Sequence, residues 1–85
     1  MEIRYYAAAR AAAGLTNETI DNPPETLGQL IDELAKIHPG KTASGTPFGE
    51  IIEICSFLAD GTRIETDSAL DGIKCLDVLP PFAGG

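Results

Sequence analysis

The sequence predicts an α+β domain: a mixed sheet of about five strands packed on one main helix, with an extra short helix after the first strand. Three observations carry that prediction. Leu27, Leu30, Ile31 and Leu34 recur at helical spacing behind a Thr26-x-x-Gln29 capping box. The segments on either side read as strands, and one pair is joined by the hairpin signal Asp60-Gly61. The chain has 85 residues, 44% hydrophobic and 22% charged, enough for one packed core and too few for two.

Each element has its own signature. Met1, Ile3 and Tyr5 alternate with Glu2, Arg4 and Tyr6, the period of a strand with one buried face. Ala7 to Ala13 is nearly pure helix former, and Gly14 stands where a helix stop belongs. So short a helix is marginal alone and depends on packing. Asn17 to Asp21 alternates weakly around Ile20 as a second strand, ended by Asn22-Pro23-Pro24.

The main helix starts at the Thr26 cap. Its apolar positions run on to Ile37, with Asp32, Glu33 and Lys36 on the other side. Burying its four central aliphatic side chains is worth about 6–12 kcal/mol before entropy is counted. His38-Pro39-Gly40 stops the helix, since proline disfavours helical geometry in the residue before it. Lys41 to Gly49 reads as a loop, and the Ile-rich Glu50 to Leu58 as a third strand. Thr62 to Thr66 returns after the Asp60-Gly61 turn, Ser68 to Gly72 turns around Leu70, and Lys74 to Leu79 is the last strand.

Charge and motifs narrow the function. Thirteen acidic against six basic residues give a net charge of −7, which weighs against nucleic acid or an anionic membrane as partner and favours a basic protein. No apolar run approaches the roughly 20 residues of a membrane span. The N-terminus enters strand alternation directly without a signal segment, so the cytoplasm is the expected compartment. Cys55 and Cys75 match no zinc or redox spacing, and a single histidine cannot complete a metal site with them; free, partly buried thiols are expected. His38, at a helix end, is expected to bind the last carbonyls rather than to act as a catalyst. Ala35 to Thr42 fits a relaxed phosphate-loop pattern, but a helix precedes the Gly-Lys-Thr where the mechanism needs a strand, so the match is read as chance.

The C-terminus stands apart. A domain over 1–79 is expected to give way to an extended tail over 80–85. Pro80 and Pro81 remove two amide donors and favour extended backbone. Phe82 follows as a large apolar group beyond the domain, where a receiving surface would explain it. After Ala83, the side-chain-free Gly84 and Gly85 suit a carboxylate threaded into a narrow channel.

Taken with the helix Ala7–Gly14 after the first strand, Thr26-Leu27 and Asp60-Gly61, the closing Asp77-Val78-Leu79-Pro80-Pro81-Phe82-Ala83-Gly84-Gly85 resembles the MoaD sulfur carriers, the small subunits of molybdopterin synthase. These belong to the MoaD/ThiS family of ubiquitin-like β-grasp proteins, and the resemblance spans essentially the whole chain. The first helix and the Pro-Pro-x-x-Gly-Gly end favour MoaD over the thiamin carrier. The long Lys41 to Glu50 loop and the Asp71-Gly72-Ile73-Lys74-Cys75 stretch depart from the usual pattern.

The resemblance implies a sulfur-donor subunit of a sulfurtransferase complex that binds no cofactor itself. A MoeB-like enzyme would use ATP and Mg to adenylate the carboxyl of Gly85, and a sulfur donor would convert it to a thiocarboxylate. A MoaE-like large subunit would then take up the tail, with sulfur passing to cyclic pyranopterin monophosphate in molybdenum cofactor biosynthesis. Gly84 would give clearance, while Phe82, Pro80 and Pro81 would help dock the tail, with Ala83 between them. Two alternatives remain: a thiocarboxylate carrier for thiamin, cysteine or another sulfur metabolite, and a ubiquitin-like modifier or interaction module.

Overall fold

The computed structural model describes residues 1–81. Burial along the first strand, β1 (Glu2–Tyr5), follows its sequence alternation, with Ile3 and Tyr5 buried and Glu2 and Arg4 exposed. Next come α1 (Ala7–Ala13), β2 (Asn17–Thr19), α2 (Leu27–Ile37), α3 (Phe48–Ile54), β3 (Ser56–Ala59), β4 (Thr62–Ile64) and β5 (Cys75–Leu79). The strands form one sheet in the order β2-β1-β5-β3-β4. β1 and β5 run parallel, with Tyr5 opposite Val78, and every other neighbouring pair is antiparallel. This is the ubiquitin-like β-grasp arrangement, and it makes the last strand of the chain the middle strand of the sheet.

Local chemistry sets the element ends. Gly14 closes α1 with a left-handed φ of 78°, and its N–H donates to the carbonyl of Arg10 at 3.0 Å. The capping box on α2 is reciprocal: Gln29 N–H donates to Thr26 Oγ1 at 3.3 Å, and Thr26 N–H donates to Gln29 Oε1 at 3.1 Å. Leu27, Leu30, Ile31 and Leu34 are buried, but Ile37 is 55% exposed, so the covered face ends one turn before the helix does. Asp60 and Gly61 both have positive φ (48° and 86°), the mark of a type I′ turn whose twist matches the flanking strands. The Asp60 carboxylate also accepts from the backbone N–H groups of Lys74 and Cys75, at 3.1 and 3.0 Å, tying the hairpin to the start of β5.

The third helix corrects the sequence reading. Phe48–Ile54 is helical where a loop followed by a strand was expected, and β3 begins only at Ser56. The β-branched residues Ile51, Ile52 and Ile54 favour a strand by propensity. Phe48, Ile51 and Ile52, at i, i+3 and i+4, instead share one helical face that packs on α1 and α2 and is at most 4% exposed. Tertiary burial outweighs propensity here.

One core fills the space between sheet and helices. Tyr5, Ile3, Leu27, Leu30, Leu34, Phe48, Ile52, Leu70, Leu76 and Val78 are its largest fully buried members. Gly40 lies so close to the Ala12 carbonyl that a β-carbon there would overlap the oxygen, which seats the segment after α2 against the last turn of α1.

Candidate functional site

The expected tail is rooted in the centre of the sheet. On one side of β5, Leu79 pairs with Ser56; on the other, Tyr6 N–H donates to the Val78 carbonyl at 3.3 Å. The strand ends at Leu79 because the next two residues, Pro80 and Pro81, have no N–H with which to continue it. Pro80 is buried and Pro81 is exposed in a turn. The root is thereby held by two paired neighbours and a buried proline. Of the predicted site residues, the structure places Pro80 and Pro81; Phe82, Ala83, Gly84 and Gly85 lie outside the described residues.

Next to the root, the outward face of the sheet carries a small polar group. Arg4 donates through Nε to Asp77 Oδ1 at 2.7 Å and through Nη2 to Oδ2 at 3.3 Å, and the Tyr6 hydroxyl donates to the same carboxylate at 3.4 Å. The hydrogen bond to Asp77, followed by its charge, raises the Arg4 guanidinium above its ordinary pKa. Cys75 lies 4.0 Å from Asp77 Oδ1. Its thiol is raised first by desolvation, with Arg4 pulling in the opposite direction.

Neither thiol is activated. Cys55, at the end of α3, donates to the Ile51 carbonyl at 3.1 Å, and burial pushes its pKa up to about 11. A reactive cysteine needs the opposite shift, since the thiolate is the nucleophile. Among the described residues, no group of three or more His, Cys, Asp or Glu side chains gathers as a metal site.

A second cluster escaped the sequence reading. His38 turns away from the helix carbonyls it was expected to bind: its Nε2 lies 2.6 Å from Glu18 Oε2, and the Tyr5 hydroxyl donates to the same oxygen at 2.5 Å. The Tyr5 and His38 rings both pack against Phe48, with centroids 5.7 and 4.8 Å away. Burial is the first cause that raises the Tyr5 phenol, with the hydrogen bond to Glu18 next. The cluster joins β1, β2, the end of α2 and α3, a cross-link rather than a reaction centre. One signal was available: a tyrosine at a buried position of β1 needs a partner for its hydroxyl.

The sequence pattern of the ThiS family matches residues 3–85, the whole fold and the tail together. The chain belongs to the ThiS family. A molybdopterin synthase sulfur carrier subunit from Mycosarcoma maydis is 29% identical to this ThiS-family chain over 91 residues, covering all of it and 92% of that protein. The crystal structure of SAMP1 from Haloferax volcanii is similar in fold, with a TM-score of 0.69 at 22% identity, covering 99% of this chain and 97% of that one.

Proposed function

We propose that this ThiS-family protein is the small, sulfur-carrying subunit of molybdopterin synthase, working in the cytoplasm. The observation that carries the reading is the end-to-end likeness to a molybdopterin synthase sulfur carrier subunit, on a chain whose last described strand is the middle one of the sheet and ends at Leu79, just before Pro80. The domain over 1–79 holds the tail, and the tail over 80–85 does the work.

A carboxylate is a poor electrophile. A MoeB-like activating enzyme uses Mg-ATP to turn the Gly85 carboxyl into an acyl-adenylate, releasing pyrophosphate. A sulfide equivalent from a sulfur donor then attacks the acyl carbon and expels AMP, leaving a thiocarboxylate whose negative charge sits partly on sulfur. A MoaE-like large subunit accepts the tail, and the sulfur passes to cyclic pyranopterin monophosphate as water attacks the acyl carbon, breaks its C–S bond and restores the Gly85 carboxylate. Gly84 allows close approach of the partner's backbone. Phe82 and Ala83 make apolar contacts, while Pro80 and Pro81 limit the freedom lost on docking. The raised pKa values of Cys55 and Cys75 support a carrier that uses its carboxyl rather than a thiol. The charge of −7 fits basic partner surfaces.

Reconstitution tests the pathway. Thiocarboxylated protein mixed with a MoaE-like subunit should convert cyclic pyranopterin monophosphate into molybdopterin. Failure there, with sulfur delivered instead to a thiamin or cysteine precursor, would make this a carrier for another pathway. A Gly85 recovered in isopeptide linkage to lysine would make it a protein modifier.

A further inference from the structure

A groove of about 540 Å³ lies between α2, the end of α3 and the segment that follows β4. Ile31, 8% exposed, forms its base. Gly28 and Thr66 join two of its walls, with the Gly28 N–H donating to the Thr66 carbonyl at 2.9 Å. A β-carbon on Gly28 would stand 3.2 Å from that oxygen, so α2 is seated closely on the segment after β4. Exposed carboxylates from three elements surround the groove: Asp32 of α2, Glu53 of α3 and Asp67 beyond β4. Among the described residues no basic side chain lines it, and none of the three carboxylates is in an ion pair.

This groove reaches the root of the tail. Through Ile31, Glu53 and Thr66 it continues into a cavity of about 150 Å³ walled by Ser56, Phe57 and Ile64. Ser56 pairs with Leu79, the last residue of β5, and Phe57 stands opposite both Val78 and Ile64. The inner end is therefore level with the end of β5 and begins one strand, about 5 Å, to its side.

What fits is a long organic cation. An aliphatic stem lies on the apolar base, and an ammonium or guanidinium at its end is matched by the carboxylates of the rim. A metal ion needs oxygens converging at about 2.0–2.6 Å. Among the described residues no group of three acidic side chains gathers in that way. We propose that the groove receives a lysine or arginine side chain of the protein that takes up the tail, a second hold on the domain beside the root. The inference rests on the reading that a partner protein takes up the tail.

Binding of the full-length protein to the MoeB-like and MoaE-like partners, at low and high salt, tests it. The triple variant Asp32→Asn, Glu53→Gln, Asp67→Asn should bind one or both about tenfold more weakly at low salt, with a flatter salt dependence. Asp21→Asn, Glu33→Gln, Asp71→Asn removes the same charge from exposed acids outside the groove and should weaken binding less than about twofold. In the wild-type complex, the amide signals of Gly28, Ile31 and Thr66 should shift. Equal weakening by the two triple variants, or groove amides that do not shift, would overturn the inference and leave the carrier reading standing. Spermidine that binds the wild type in the micromolar range, and not the groove variant, would also overturn it, since a free polyamine would then be the occupant. A wild type that binds neither partner would overturn the inference and the reading together.

Discussion

His38 and Glu18, twenty residues apart in sequence, meet with Nε2 and Oε2 separated by 2.6 Å, and Tyr5 adds its hydroxyl to the same carboxylate oxygen. The three side chains fasten the short edge strand β2 to the end of α2. Tyr5 is only 2% exposed, so its hydroxyl has little access to water if Glu18 is removed. Glu18→Ala should cost about 1.5–3 kcal/mol, the range for losing a hydrogen bond to a carboxylate. Urea denaturation measures it. The Tyr5 hydroxyl keeps His38 Nε2 at 3.5 Å as a weaker partner, so Tyr5→Phe should cost less in the Glu18→Ala background than in the wild type; strict additivity of the two changes would contradict this.

Gly40 and Gly14 give a contrast in mechanism. A β-carbon on Gly40 runs into the Ala12 carbonyl, while Gly14 has open space but a φ of 78°. Gly40→Ala should destabilise by about 1–3 kcal/mol through overpacking against backbone. Gly14→Ala should cost about 1–2 kcal/mol through left-handed strain alone. Thermal melts check both, and hydrogen exchange separates them: Gly40→Ala loosens the contact between α1 and the segment after α2, whereas Gly14→Ala frays only the end of α1.

The pH dependence lies on the alkaline side. Burial raises the Cys55 thiol from its ordinary value to about 11 and raises the Tyr5 phenol as well. Each group holds its proton more tightly when folded, so its contribution is complete below the unfolded pKa and disappears as pH rises through the folded one. For Cys55 that window runs from about 9 to about 11. Denaturant midpoints should fall across it, and the fall should be shallower in Cys55→Ala. Alkylation at pH 8 should label Cys55 far more slowly in folded than in unfolded protein.

Asp60 tests how the hairpin is tied to the central strand. Its carboxylate accepts from two backbone N–H groups at the start of β5, and its own N–H donates to the Cys75 carbonyl at 2.9 Å. Asp60→Ala removes the first two bonds and should cost about 1–2 kcal/mol, with faster amide exchange at Lys74 and Cys75. Asp60→Asn keeps one acceptor oxygen and should lose less. Equal losses in the two variants would show that the carboxylate geometry is unimportant.

The parts that local rules govern were legible in sequence. Gly14 ended α1, Thr26 and Gln29 capped α2, Asp60-Gly61 made the turn, and the alternation around Ile3 and Tyr5 marked the buried face of β1. α3 was hidden because its three isoleucines favour a strand, and only packing on α1 and α2 decides otherwise. His38 was misread for a related reason: its partner Glu18 is distant in sequence, and no local pattern pairs them. Of the candidate site, the prolines marked where the sheet ends, but the sequence did not show that β5 would be central or that Pro80 would be buried.

Intact mass of the full chain, after incubation with a MoeB-like activating enzyme, Mg-ATP and a sulfur donor, tests sulfur carriage most directly. Carriage on Gly85 predicts the exchange of one oxygen for one sulfur, located at Gly85 by fragmentation and absent from a chain lacking that residue. An unchanged mass, or sulfur mapping to Cys55 or Cys75 instead, would contradict it.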